Sequence, residues 1–291
     1  MYLSDIYNLS HEKLTKIIQN FDKMIIKEIE PTTQNIYQHT FEEGFNFVVN
    51  ELINLILNDF NQGNEDYVRK QHILDYISNH KINLQEIYKW LLNNQINSNS
   101  NYLLGYFNYH GIETNINKKM AFKLYQKAAE LENNAAQFDF SYMCIDGVGG
   151  EENHEKVFKL ARKLANKKGY SGGICLLGHC YEGGIGTYID QQKAFELYQK
   201  ASDLGNISAM NHLGNCHFYG IGTNVNKQMA FKLYQKSANS GNHFAQHNFA
   251  FMYEYGEGIE KDVSQAIYWY KKSAEQGSKS AQSKLNKLSV K

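Results

Sequence analysis

Cysteine and histidine are the residues of this sequence that could carry nucleophilic chemistry. Cys175 and His179 are four residues apart, so on a helix they would share a face and the imidazole could deprotonate the thiol. The sequence names no third group to orient the histidine and no pair of oxyanion donors. We therefore expect no catalytic residue and interpret the chain as a non-enzyme.

Two Cys-His dipeptides raise the question of a zinc site. In His179-Cys180 and Cys216-His217 the adjacent side chains would point about 100° apart on a helix, and no C-x₂-C spacing occurs. Cys180 and Cys216 also hold equivalent positions in an internal repeat. The same position is occupied in the other copies by Phe107, Met143 and Met252. We expect buried apolar cysteines, no metal and no cofactor.

Paired glycines such as those of Gly220-Ile-Gly222-Thr resemble phosphate-binding loops. They follow helical rather than strand patterns and lack the Lys-Ser/Thr of a P-loop. Because they recur once per repeat, they are interpreted as turns.

A repeat of 36 or 37 residues positions all of these groups. Its most regular part reads AFKLYQKAA, VFKLARKLA, AFELYQKAS, AFKLYQKSA and AIYWYKKSA, with copies starting at Ala121, Val157, Ala194, Ala230 and Ala266. Five copies at a constant period predict stacked helical hairpins, since one copy cannot bury its own apolar face.

Glycine and tyrosine explain how each hairpin would turn and pack. Glycine follows the second helix at Gly169, Gly205, Gly241 and Gly277, but Glu132 stands there in the first copy. Small residues leave room in the first helix for a close neighbour at Gly105, Ser141, Gly178, Gly214 and Ala250. The tyrosine of LYQK is expected between helices; in the second copy it is replaced by Ala161.

Residues 1–96 show helical patterns without the repeat. Apolar residues spaced three and four apart predict helices over about 10–29, 41–60, 65–79 and 83–94, with Pro31 ending the first. Asn97-Ser-Asn-Ser100 is interpreted as a join between this N-terminal helical module and the array.

Composition excludes several classes of protein. Lys and Arg total 30 and Asp and Glu total 30, so the chain lacks the basic excess typical of nucleic-acid binders. No window approaches the roughly 20 apolar residues needed to cross a bilayer. The N-terminus does not resemble a secretory signal, and four cysteines without one favour reduced thiols. We expect a cytoplasmic protein without membrane insertion.

The repeat resembles the Sel1-like repeat, a relative of the tetratricopeptide repeat, of the type expanded in fungi. Both halves of the family pattern are clearest in AQHNFAFMYEYGEGIEKDVSQAIYWYKKSAEQG. The resemblance implies an all-α, right-handed α-solenoid behind an N-terminal helical module. The expected divisions are 1–96 for the module, 97–132, 133–169, 170–205, 206–241 and 242–277 for the repeats, and 278–291 for a capping helix.

The resemblance also implies function. Members usually act as adaptors that assemble complexes, so we expect a scaffold, in signalling for example, that binds protein or peptide partners. The alternatives are a hydrolase, as claimed for some bacterial members, or an accessory of protein quality control. A monomer is expected.

In tetratricopeptide-like stacks the first helices line a concave groove. Counting from the leucine of LG or its counterpart, offsets −2, +2 and +5 share one helical face, away from the packing stripe. The candidate binding residues at these offsets are Tyr102, Tyr106, Tyr109, Phe138, Tyr142, His179, Asn211, Asn215, Phe218, His247 and Phe251. Packing against the N-terminal module or neighbouring repeats is the alternative interpretation of the aromatic members.

Overall fold

A computed structural model describes residues 31–150 and 153–288, with side chains from residue 43 onward. Within these ranges the chain forms α-helices and no β-strand. The helices are α1 (Pro31–Gln62), α2 (Asp66–Asn79), α3 (Leu84–Asn93), α4 (Ser98–His110), α5 (Lys118–Glu130), α6 (Asn134–Ile145), α7 (His154–Ala165), α8 (Ser171–Gly183), α9 (Gln191–Asp203), α10 (Ile207–Tyr219), α11 (Lys227–Asn239), α12 (His243–Tyr255), α13 (Val263–Glu275) and α14 (Lys279–Leu288).

The chain separates into two compact units, one up to Glu51 and one from Leu52 onward. Helix α1 belongs to both and is longer than the expected 41–60, because it begins at Pro31. Proline suits the first position of a helix, where its missing N–H is not needed and its φ is already helical. The helix expected over 10–29 lies outside the described residues.

The second unit contains α2, α3 and the repeat array. The expected helix ends are confirmed here: Gly63 adopts a left-handed φ of 74° after α1, and the Asn83 side chain accepts hydrogen bonds from the first turn of α3. The polar run from Asn97 is not a linker, since Asn97 caps α4 and Ser98 begins it. An asparagine side chain that accepts the free N–H of the first turn favours starting a helix there.

Ten helices, α4 to α13, form five hairpins, and consecutive helices pack on one another along the array up to α14. The fold is the expected all-α solenoid. An asparagine or aspartate side chain caps nine of these ten helices by accepting the backbone N–H three residues on. The caps are Asn97, Asn117, Asn133, Asn153, Asp190, Asn206, Asn226, Asn242 and Asp262. Helix α8, after Tyr170, has no side-chain cap.

The turns follow the glycine pattern even where glycine is missing. Gly205, Gly241 and Gly277 have φ between 88° and 97°. Glu132, which stands at the same position in the first repeat, also adopts a positive φ of 66°. The left-handed turn is therefore imposed by the packed hairpin and does not depend on glycine alone, although glycine adopts it without strain.

The small residue of the first helix and the tyrosine of the second pack directly together. A Cβ added to Gly214 would lie 2.6 Å from the ring of Tyr234, and one added to Gly178 would lie 2.9 Å from Tyr198. Both tyrosines are buried. In the second repeat Ser141 replaces the glycine and Ala161 replaces the tyrosine, so a larger residue on the first helix is matched by a smaller one on the second. This contact sets the spacing between the two helices of a hairpin.

Every described helix is too short or too polar to traverse a lipid bilayer.

Candidate partner-binding face

In the first four repeats the residues at offset −2 are buried between repeats. Tyr102 is fully buried, and Phe138, Cys175 and Asn211 are 5 to 8% exposed. The Tyr102 hydroxyl donates a hydrogen bond of 2.8 Å to a carboxylate oxygen of Asp139 in the next repeat. Offset −2 therefore faces offset −1 of the following repeat and stabilises the stack.

The same arrangement recurs three repeats later, where the Asn248 amide donates to the Asn211 side chain at 3.0 Å. Tyr106, at offset +2, is also fully buried. Of the candidate residues, Tyr102 and Tyr106 thus have no surface available to a partner in this conformation.

Offsets +2 and +5 retain partial exposure elsewhere and form what we call the first-helix face. It consists of Tyr109, Tyr142, Ile145, His179, Glu182, Asn215, Phe218, Phe251 and Glu254. His247, at offset −2 of the last repeat, is partly exposed beside it. Most of the predicted binding residues are therefore on one face, but the first repeat contributes only Tyr109.

Aromatic rings continue along this face from repeat to repeat. The Tyr142 and His179 rings are 6.5 Å apart, and the His179 ring lies 6.0 Å from that of His212, which is at offset −1 and outside the face as defined. Farther along, the Phe218 and Phe251 rings approach to 6.1 Å. Rings at this spacing offer apolar contact area at low entropic cost.

Polar groups on the face are held from behind by the tyrosines of the second helices. Tyr198 donates to Glu182 at 2.6 Å, and Tyr270 donates to Glu254 at 2.7 Å. Tyr234 donates to Asn215 at 2.7 Å. The side chains that a partner would meet are thus fixed in orientation before binding.

A segment that the sequence did not single out covers part of this region. Residues 60–69, here called the docked segment, comprise the end of α1, the turn at Gly63 and the start of α2. The Ser171 hydroxyl donates to the Asn61 carbonyl at 2.5 Å, and the Ser208 hydroxyl donates to the Gly63 carbonyl at 2.9 Å. The Asn206 amide donates to the Phe60 and Asn61 carbonyls at 3.2 Å. Carbonyls at the end of α1 and in the turn after it thus accept hydrogen bonds from the array, and that of Phe60 also accepts the Gly63 N–H at 3.1 Å.

The docked segment also places a carboxylate at the start of α12. The His243 backbone N–H donates to one oxygen of Glu65 at 2.9 Å, and the His243 ring nitrogen Nδ1 contacts the other oxygen. The N-terminus of a helix attracts an anion through its unpaired N–H groups and its dipole.

Arg69 extends from the docked segment to the second repeat. Its guanidinium lies 2.9 Å from Asp66, 3.6 Å from Asp139 and 4.5 Å from the centre of the Phe60 ring. The Phe60 ring in turn packs 4.2 Å from that of Phe138. Burial raises the pKa of Asp139 to about 6, although the nearby Arg69 charge and the Tyr102 hydrogen bond favour its ionised form.

A cavity of about 340 Å³ remains between the docked segment and the first helices. Its lining includes Asp66, Arg69, Tyr109, Asp139, Tyr142 and Asp146. The volume is within the range of small ligand sites, and the lining mixes aromatic with charged groups.

The cysteines have the environment of structural residues. All four are buried and unpaired by disulfide. Burial raises the pKa of Cys175 to about 12 and that of Cys180 and Cys216 to about 12, so the thiols stay protonated near neutral pH. Among the described residues, histidine, cysteine, aspartate and glutamate side chains do not gather in threes at distances a metal ion could bridge.

Comparison with known proteins identifies the repeat. The model of the Sel1 repeat matches residues 98–133, 134–168, 172–206, 207–242 and 243–278. A Sel1 repeat protein from Oxalobacter formigenes is 28% identical, with 73% of this chain and 84% of that chain covered and a TM-score of 0.58.

A protective antigen of uropathogenic Escherichia coli strains, which displays an SLR fold, is 23% identical with a TM-score of 0.52. The likeness covers 80% of this chain and 55% of that one, and it concerns the fold alone. A search among curated proteins found no match. Since the family model matches five consecutive hairpins and more than half of the sequence, the chain belongs to the Sel1 repeat family.

Proposed function

We propose that this protein is a non-catalytic scaffold that binds a segment of a partner protein along the first-helix face of its third to fifth repeats. Sel1 repeat proteins are generally protein-interaction scaffolds. The observation that carries the proposal is the partial exposure of His179, Asn215, Phe218 and Phe251 on one face, next to polar groups already fixed by tyrosines.

The chemistry of this face suits an extended or helical peptide. Phe218 and Phe251 offer apolar anchors 6.1 Å apart, while Asn215 and Asn248 present amide groups to a peptide backbone. Their amides already share a hydrogen bond of 3.2 Å, so little ordering is required on binding. The expected affinity therefore depends on two aromatic contacts and a polar rim.

We retain the cytoplasm as the proposed compartment and signalling as the proposed setting. Of the alternatives, a thiol hydrolase is disfavoured because burial raises the pKa of every cysteine. A role in quality control would use the same face and differ only in the partner.

The test uses peptides selected on the intact protein from a random displayed library. We expect Phe218→Ala combined with Phe251→Ala to weaken their binding at least tenfold, measured by titration calorimetry. Tyr268→Ala is the matched control, because Tyr268 is 48% exposed on the second helix α13. Peptides that bind the double variant as tightly as the wild type would place the site elsewhere.

A further inference from the structure

The docked segment contacts the array much as a bound peptide would. It meets the N-terminal ends of α8, α10 and α12 through Ser171, Ser208 and His243 in turn. Its Tyr67 hydroxyl reaches the Gln276 side chain beyond α13. The segment therefore runs across three successive repeats beside the first-helix face. It contacts them in turn through the Asn61 carbonyl, the Gly63 carbonyl and the Glu65 carboxylate.

The contacts are mainly polar, and they leave buried polar groups unmatched. Among the described residues, Asn61 Oδ1, Arg69 Nε, Tyr106 OH and Tyr170 OH are buried without a hydrogen-bond partner. Both tyrosines lie within electrostatic range of Arg69. An unmatched buried polar group destabilises the docked arrangement, and the 340 Å³ cavity adds unfilled volume. A better-matched ligand could gain this free energy by replacing the segment.

We propose that residues 60–69 are an intramolecular ligand that occupies the N-terminal ends of α8, α10 and α12, beside the first-helix face, and that a partner extending from that face displaces it. The proposal rests on the scaffold function above and adds both a regulatory step and a partner chemistry. The displacing partner presents backbone carbonyls at the end of a helix, a carboxylate for the start of α12, and an arginine for Asp139. In the docked segment the carboxylate and the arginine belong to Glu65 and Arg69, four residues apart.

Tethering explains why the segment excludes weak ligands. The segment is joined to the array through α2 and α3, and covalent attachment raises its effective concentration above that of a free peptide, which must therefore bind more tightly to compete. The apparent affinity of a partner is reduced by the fraction of molecules in which the segment is open. Any change that opens the segment therefore strengthens partner binding.

Gly63 gives a direct way to open it. Gly63 has a φ of 74°, and an added Cβ would lie 2.5 Å from Asn206 and 2.7 Å from the backbone nitrogen of Ser208. Gly63→Ala should therefore displace the segment from α10. Gly169→Ala is the matched control, since Gly169 has a φ of 75° and nothing within 4 Å of an added Cβ.

The probe is a fluorescently labelled synthetic peptide of residues 57–73, added to the full-length protein. By fluorescence anisotropy we expect the peptide to bind the Gly63→Ala protein at least tenfold more tightly than the wild type or the Gly169→Ala protein. Peptides carrying Glu65→Gln or Arg69→Ala should bind the opened protein at least fivefold more weakly. Adding Ser208→Ala and His243→Ala to the opened protein should weaken binding at least fivefold, because the Ser208 hydroxyl and the His243 ring are lost. The His243 backbone N–H and the Ser171 and Asn206 contacts remain.

Equal peptide binding to all proteins, or none to a Gly63→Ala protein with wild-type helicity and melting, would overturn the proposal. If Gly63→Ala does not fold, Glu65→Ala provides a second opening variant, because Glu65 makes no side-chain cap to α2. Failure here leaves the scaffold function intact, since that function is tested separately at Phe218 and Phe251. If the selected peptides bind the Phe218→Ala, Phe251→Ala double variant as tightly as the wild type, the proposed scaffold site is wrong, whatever is found for the docked segment.

Discussion

At the scale of single residues, two tyrosines one turn apart illustrate how position in the stack decides the role of a side chain. Tyr106 is buried beneath the docked segment, close enough to Arg69 to interact with its charge. Tyr109, three residues later, remains partly exposed and lines the cavity. Helical spacing places both tyrosines on the same side of α4. Whether each is exposed depends on the docked segment, which lies more than 30 positions earlier in the sequence.

Tyr106→Ala should therefore act on stability. Removing a large buried aromatic side chain costs about 3–5 kcal/mol, whereas Phe251→Ala at a partly exposed position should cost less than half as much. Urea unfolding followed by circular dichroism gives both values. Similar costs for the two variants would contradict the packing described for Tyr106.

His212 should make stability depend on pH. Burial, followed by the nearby His179, lowers the pKa of His212 to about 4, with Glu182 opposing the shift; the ring stacks on Tyr198 at 4.7 Å. An unfolded histidine titrates near 6.5, so this stability is fully present above about pH 6.5 and is lost as pH falls towards 4.

Between pH 7.5 and 5.0 the wild type should lose roughly 1–2 kcal/mol more free energy of unfolding than His212→Asn. Urea titrations at the two pH values provide the measurement. An identical decrease in both proteins would show that His212 charges equally in the folded and unfolded states.

At the scale of the helix, the contact between a glycine and a tyrosine fixes the geometry of each hairpin. Gly214→Ala should destabilise the protein by about 1–3 kcal/mol, because the new methyl group would overlap the Tyr234 ring. Ser141 is the matched site, since it already carries a Cβ opposite Ala161. Ser141→Ala should cost only its hydrogen bond of 2.6 Å to the Gln137 carbonyl, about 1 kcal/mol. Thermal melts that rank the two variants in the opposite order would refute this account.

The helices of the array could be predicted because each rests on local signals that recur in most of the five repeats. Capping asparagines, left-handed glycines and the LYQK pattern occur at fixed intervals. Each of these signals acts on residues close to it in the sequence, so no long-range contact has to be known to predict the helix. At offset −2 the sequence leaves burial of the aromatic members as the alternative to partner binding, because burial depends on pairs such as Tyr102 and Asp139 that lie 37 residues apart. A polar residue repeatedly placed at offset −1, as in Asp139, His212 and Asn248, was the signal available.

At the scale of the whole array, each repeat packs chiefly on its neighbours. Leu213→Ala in the central core should cost about 2–5 kcal/mol and accelerate amide exchange in the repeats on both sides of α10. Leu285→Ala, at the partly buried end helix α14, should accelerate exchange only in α14 and its contacts. Hydrogen exchange read by mass spectrometry distinguishes them. Exchange that rises everywhere in both variants would mean that the array unfolds as a single unit.

The docked segment marks the limit of prediction from the sequence at this scale. Its contacts include pairs separated by 70 positions (Arg69 and Asp139) and by 209 positions (Tyr67 and Gln276), and its residues belong to no repeat. Nothing in the local pattern of 60–69 distinguishes a surface turn from one that covers other helices. In the alternative interpretation the aromatic residues of the first repeats pack against the N-terminal module, but the sequence does not indicate which part of the module covers them.

The tyrosines behind the first-helix face have two roles: the ring packs the hairpin, and the hydroxyl holds a side chain that a partner would meet. One ring supplies the packing surface in every case, while the group it holds is a carboxylate in Glu182 and Glu254 but an amide in Asn215. Charge at those points can consequently be exchanged without disturbing how the hairpins nest. Related chains could evolve to bind new partners by changing one exposed side chain per repeat. The tyrosine hydroxyl behind that position can donate a hydrogen bond to a carboxylate or to an amide.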